Sequence, residues 1–222
     1  MRVILFGGTG MVGQGVLKEC ERDPEITEVL AVGRTALENA DAKVWEIAAE
    51  DLFDLEDEED RLTGFNACFF CLGVSSSGMG EEAYRRVTYD LTMSVAKRLV
   101  RLNPGMVFEY VSGAGTDSTE KGRVMWARVK GKTENDLQGL GFKGAYMFRP
   151  GGIVPMDGIK SKTKAYQAVY SVLGPVMPLL HRLFPRYMTT TRELGRAMIR
   201  VAKVGFEKRV IEAGDIARIG AQ

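Results

Sequence analysis

The sequence predicts an α/β fold, a doubly wound parallel sheet covered by helices on both faces. Two observations carry this expectation. First, an apolar, β-branched run at residues 2–6 stops at the cluster Gly7-Gly8-Thr9-Gly10, and a helical pattern over 12–21 starts directly after it. Second, strand-like runs and helical stretches go on alternating along the chain, which is the pattern of right-handed βαβ units.

In order, the strands are expected at 2–6, 28–32, 43–47, 66–72, 106–111 and 145–148. Helices are expected at 12–21, 81–102 and 124–140. After Pro150 the texture changes to a glycine-rich loop, 151–158, followed by mixed helices. Thr190 and Glu193 stand three apart as a capping box, which predicts a helix running to about Val204 and makes capping the role of the threonines at 189–191. The expected organisation is one domain over 1–222, with 150–222 folding over the strand ends as a small substrate-covering region.

The glycine turn carries the first chemistry. Gly7 permits the tight turn, Gly10 lets backbone approach phosphate oxygens, and Gly13 lets the helix pack close to the strand. A helix N-terminus at this point offers unpaired N–H groups and partial positive charge to an anion. Strand, glycine turn and helix in this order make the sheet a Rossmann-type one and the turn a pyrophosphate site. The spacing is Gly-x-x-Gly-x-x-Gly rather than Gly-x-Gly-x-x-Gly.

Composition narrows the partners. A formal charge of +1 gives no electrostatic footprint for nucleic acid or an acidic membrane surface. Hydrophobic content of 45% and charged content of 27% are those of an ordinary soluble protein. The apolar stretch 165–184 is broken by Pro175 and Pro178 and carries His181 and Arg182, so it is not expected to span a membrane. With the first strand starting at Arg2 and only three cysteines, a cytoplasmic protein without a leader is expected.

Two clusters invite a chemical reading and do not sustain it. Cys68 and Cys71 have redox or zinc-like spacing, but in a strand residues three apart point to opposite faces, so no metal site is expected. Residues 50–60 hold eight carboxylates, which read as a solvated connection between strands with leucines and Phe53 covering a core.

Four motifs now stand in order: the glycine turn, Cys71-Leu72-Gly73, Val111-Ser112-Gly113-Ala114 and Arg149-Pro150-Gly151. With these the chain resembles the short-chain dehydrogenase/reductases, most closely the atypical, epimerase/dehydratase-like branch and its Tat-interacting oxidoreductase type. The resemblance covers nearly the whole chain. It implies a cofactor site built from Gly7, Thr9, Gly10, Met11, Val12, Gly13, Cys71, Leu72, Gly73, Pro150 and Gly151. It also implies a catalytic Ser at Ser112, a Lys at Lys130 serving the acid and the cofactor ribose, and a Tyr where this chain has Trp126.

That last departure matters. A phenol beside a lysine can act as a general acid, whereas an indole N–H donates a hydrogen bond but has no useful acidity. Tyr84, Tyr89 and Tyr110 are the alternative phenols, and no sequence signal places them in the site. Arg34, at the end of the second strand, suits a ribose 2′-phosphate where an NAD-type site would offer Asp or Glu. NADP(H) is therefore expected over NAD(H).

Two functions follow as expectations: an NADP(H)-dependent oxidoreductase acting on a small molecule, or a dinucleotide-binding sensor without turnover. A homodimer through the helices after strands four and five is implied by the resemblance. The loop 151–160 and a helix from Ala165 are expected to shape the substrate pocket.

Overall fold

Residues 2–6 form a strand because Val3 and Leu5 face one apolar layer while Ile4 and Phe6 face the other. The same two-sided burial recurs in the neighbouring strands and is the reason their sequences read as apolar runs. A computed structural model describes residues 1–37, 41–159, 184 and 186–222. The helix expected from Ala165, and His181, Pro175 and Pro178, lie outside the described residues.

The strands are β1 Arg2–Phe6, β2 Glu28–Gly33, β3 Val44–Ala48, β4 Ala67–Phe70, β5 Val107–Val111, β6 Gly144–Arg149, β7 Gly152–Val154, β8 Met188–Thr190 and β9 Val210–Glu212. The helices are α1 Met11–Arg22, α2 Glu81–Arg85, α3 Leu91–Leu102, α4 Met125–Gln138, α5 Thr191–Val204 and α6 Ala213–Gly220. Seven strands pair in the order β3-β2-β1-β4-β5-β6-β9, and every pairing is parallel. Val3 pairs with Val29 on one side and Ala67 on the other, so the order reverses between β1 and β4. The fold is the Rossmann-type α/β class, with its topological switch point at those two strand ends.

One apolar layer sets Val16 and Cys20 of α1, Met198 of α5 and Ile216 of α6 against Leu5 and Phe69. The opposite layer sets Val95 and Leu99 of α3 and Leu137 of α4 against Phe6, Phe70 and Phe108. Phe6 and Phe70 stack at 5.3 Å between centroids and Phe70 and Phe108 at 5.8 Å, so aromatic contact ties β1, β4 and β5 together. Cys68 lies in the second layer and Cys71 packs against the first, on opposite faces as the strand period requires.

Two expectations need correction. The helix over 81–102 is not continuous: a π-helical turn, Arg86–Asp90, separates α2 from α3. There the Thr92 hydroxyl donates to the Thr88 carbonyl at 2.5 Å, the kind of side-chain bond that competes with the helix ladder. The C-terminal region does more than cover strand ends, since β9 extends the sheet beside β6 and α5 packs on α1. The acidic connection contains a 3₁₀ turn, Glu56–Glu58, while Leu52, Leu55 and Leu62 are buried beneath it. Its Glu59 bridges Arg98 and Arg101, which holds the connection to α3.

Candidate functional site

The glycine turn closes on itself at the carboxyl end of β1. Gly7 sits at φ +83°, and a Cβ there would lie 2.9 Å from the Cys71 carbonyl and the Leu72 nitrogen. Only glycine lets this turn press against the end of β4. Gly10 donates its N–H to the Gly7 carbonyl at 2.9 Å and stands at the N-cap of α1. A Cβ on Gly13 would lie 2.1 Å from that same Gly7 oxygen, so the helix start and the turn are in backbone contact. Gln14 secures the loop by donating to the Thr9 carbonyl at 2.9 Å.

The first turn of α1 has no side-chain cap and no acidic residue. An uncapped helix start with its positive dipole end is a ready anion site. Beside it opens a cleft of about 270 Å³, bounded by Gly8 and Thr9, Arg34, Glu46, Leu52 and Leu72. Arg34 is exposed and has no hydrogen-bond or ion-pair partner among the described residues. Thus the glycine turn, Arg34, Cys71 and Leu72 meet at the switch point, whereas a Cβ on Gly73 would meet nothing within 4 Å. A backbone cradle, an open helix start and an exposed arginine together fit the phosphates of a dinucleotide.

Sequence reasoning missed Glu46. From β3 its carboxylate accepts the Leu37 N–H at 2.6 Å and so orders the segment that follows Arg34. The available signal was a carboxylate in an otherwise apolar strand, but strand pattern alone does not say which segment it holds.

The second half of the site lies at the carboxyl ends of β5 and β6. Lys130, on α4, donates through Nζ to the Ser112 carbonyl, so these two are brought together. Burial pushes the Lys130 ammonium down to about 8, against the opposing pull of Glu134. Ser112 is 8% exposed, and its Oγ lies 2.5 Å from Glu134 Oε1 and 3.1 Å from the Phe148 carbonyl oxygen. Its single proton therefore goes to an internal acceptor. In this arrangement the Ser112 hydroxyl is engaged inside the fold.

Trp126 is half-buried, its Cη2 3.5 Å from where a Cβ of Gly115 would stand, so the indole lies on the loop after β5. Pro150 accepts the Ala114 N–H at 2.9 Å, and Gly151 has no room for a side chain because Tyr187 O would lie 2.1 Å from its Cβ. These contacts set the strand ends of β5 and β6 side by side.

None of the alternative phenols is free. Tyr110 is fully buried, and burial raises it far above the usual tyrosine range. Tyr84 is buried and likewise raised by burial. Tyr89 donates to Asp136 Oδ2 at 2.5 Å, and that bond raises its phenol. Glu134 was also missed; it stands one helical turn beyond Lys130, a spacing that puts both on one face of α4.

No family model matches the chain. It is 27% identical over 185 residues to protein fmp52, mitochondrial, of Emericella nidulans, covering 81% of this chain and 77% of that one. It is 26% identical over 151 residues to protein HTATIP2 of Rattus norvegicus, covering 67% and 61%. Among solved structures, a thiolation-reductase di-domain from an archaeal non-ribosomal peptide synthetase superposes with a TM-score of 0.71 at 13% identity, over 96% of this chain and 70% of that one. Bordetella bronchiseptica WbmF, solved in complex with NAD+, gives 0.66 at 14%, over 98% and 76%.

The expected cytoplasmic location is overturned by these relatives, since the fungal ones are each named mitochondrial. No helix among the described residues is long and apolar enough to cross a membrane. The fold is that of dinucleotide-binding oxidoreductases and epimerases. Sequence relatives and fold together bear out the resemblance to the atypical, epimerase/dehydratase-like short-chain dehydrogenase/reductases of the Tat-interacting type.

Proposed function

We propose that the protein binds NADP(H) and is an oxidoreductase of the atypical short-chain type acting on a small molecule. The observation that carries this reading is the glycine turn before the uncapped start of α1, bounding one cleft together with the exposed Arg34. Gly7, Gly10 and Gly13, with the N–H groups of Thr9, Met11 and Val12, hold the pyrophosphate. Arg34 holds the 2′-phosphate by forked, charge-assisted hydrogen bonds. Cys71, Leu72 and Gly73 border the cofactor, while Lys130, Pro150 and Gly151 meet its nicotinamide end. When bound, the nicotinamide supplies or accepts hydride.

Proton delivery falls to Lys130 or to water. Trp126 has no useful acidity, whereas burial pushes the Lys130 ammonium down to about 8, within reach of neutral pH. The test of cofactor choice is Arg34→Ala. Loss of one charge-assisted phosphate contact should weaken NADPH binding about 10- to 100-fold and leave NADH nearly unchanged. Equal losses for both cofactors would remove Arg34 from the 2′-phosphate.

A second reading has its own observation. With Ser112 engaged by Glu134 and Trp126 in the place of the acid, the corner lacks two groups of the usual acid machinery. The protein would then be a dinucleotide-binding sensor without turnover. Trp126→Tyr separates the two: activity that appears only in the variant favours the sensor, whereas a parent already active on a defined carbonyl excludes it.

A further inference from the structure

Lys130 and Glu134 stand one turn apart on α4, and both reach the same residue at the end of β5. Lys130 donates to the Ser112 carbonyl, while the Ser112 hydroxyl lies 2.5 Å from Glu134 Oε1. The Ser112 N–H is also taken, by the Phe148 carbonyl at 2.8 Å. One residue is thus gripped at its amide, its hydroxyl and its carbonyl.

Glu134 is 1% exposed and makes a forked ion pair with Arg149: Nε to Oε1 at 3.0 Å, and Nη2 to Oε2. Arg149 Nη2 also donates to Ser118 Oγ at 2.6 Å, and its Nη1 lies 3.3 Å from Glu212 Oε1. The pair therefore joins α4, the end of β6 and the loop that leaves Ser112. Buried ion pairs contribute little net stability, because desolvation offsets their attraction. Their geometry is the more telling property here.

We propose that Glu134 is a positioning residue for Lys130: held by Arg149, it pins the Ser112 hydroxyl and thereby fixes the carbonyl on which the Lys130 amine docks. This rests on the reading that Lys130 serves the cofactor and the proton. It also gives the serine of the site a use that its inward-facing hydroxyl would otherwise lack. The groups around the amine are few. Glu134 is on its own helix, the Tyr110 ring on β5 has its centroid 5.9 Å away, and Arg149 on β6 stands behind Glu134. Of these, Glu134 favours the ammonium and burial opposes it.

A Glu134 that acted on Lys130 through its charge alone would shift that titration in Glu134→Gln but not in Ser112→Ala, whereas positioning through Ser112 shifts it in both. The experiment is an NMR pH titration of the Lys130 Nζ resonance in the full-length, nucleotide-free protein labelled with ¹³C and ¹⁵N, assigned with Lys130→Arg. The parent should titrate near 8. Glu134→Gln removes the favourable charge and should move the midpoint down by about 1 pH unit. Ser112→Ala frees the accepting carbonyl and should move it in the same direction. An unshifted Ser112→Ala protein overturns the proposal even where Glu134→Gln shifts, and a folded Glu134→Gln protein with the parent midpoint overturns it as well. Since no nucleotide is present, failure to bind NADPH would sink the proposed function without touching this result.

Discussion

Glu109 lies in the middle of β5 with no exposed surface, and neither carboxyl oxygen has a hydrogen-bond partner among the described residues. Burial raises its carboxyl well above the usual range, so the folded chain holds a proton that the unfolded chain releases. The linked stability is complete below the unfolded value of 4.5 and is lost as pH rises above it. Replacing Glu109 with Met, which has similar volume and no charge, should therefore stabilise the protein by about 1–3 kcal/mol near pH 8, and by less at pH 5. Urea unfolding at the two pH values measures this. A gain independent of pH, or a loss, would show that the carboxyl has a partner after all.

Gly13 belongs to the same scale. Its Cβ position is 2.1 Å from the Gly7 carbonyl oxygen, and backbone cannot yield as a flexible side chain does. Gly13→Ala should push α1 off the turn, costing about 1–3 kcal/mol and most of the nucleotide affinity. A variant of parental stability and affinity would mean the close approach is dispensable.

At the scale of elements, α5 depends on its start. Thr190 Oγ1 accepts the Glu193 N–H at 3.0 Å, and Glu193 Oε2 accepts the Thr190 N–H at 2.8 Å. Thr190→Ala should cost about 1 kcal/mol in chemical denaturation; an unchanged midpoint would make the box ornamental. This box was legible because both partners lie within four residues of sequence. Strands β1, β2, β4, β5 and β6 were legible for a different reason: burial on both faces leaves a long apolar run. The three-residue strands β7, β8 and β9 carry no such run, and only their pairing partners define them. The break in the helix after β4 was equally hidden, because Thr88 and Thr92 fit a helical pattern until the Thr92 hydroxyl is seen to bond the Thr88 carbonyl.

For the whole molecule, the parallel order with its reversal between β1 and β4 gathers residues that are far apart in sequence. Gly7, Arg34, Cys71, Ser112 and Pro150 each follow a strand, and their shared placement at carboxyl ends was readable from motif order alone. What sequence order could not give was direction. Ser112 and Lys130 were each expected at the site; they meet through the serine carbonyl, and the hydroxyl turns to Glu134, a residue with no motif of its own. The pH dependence follows at this scale. If Lys130 meets the cofactor ribose as an ammonium, NADPH affinity should hold below pH 8 and fall above it, the range in which that ammonium is lost. A flat affinity between about pH 7 and 9.5 would detach Lys130 from the cofactor.

The central claim is that the glycine turn and Arg34 form one NADP(H) site. Calorimetric titration of the cofactor-stripped protein with NADPH and with NADH tests it most directly. The account predicts tight binding of NADPH and binding of NADH weaker by about 10-fold or more, the worth of one charge-assisted contact. Equal affinity would refute the role of Arg34, and no heat with either nucleotide would contradict the dinucleotide site itself.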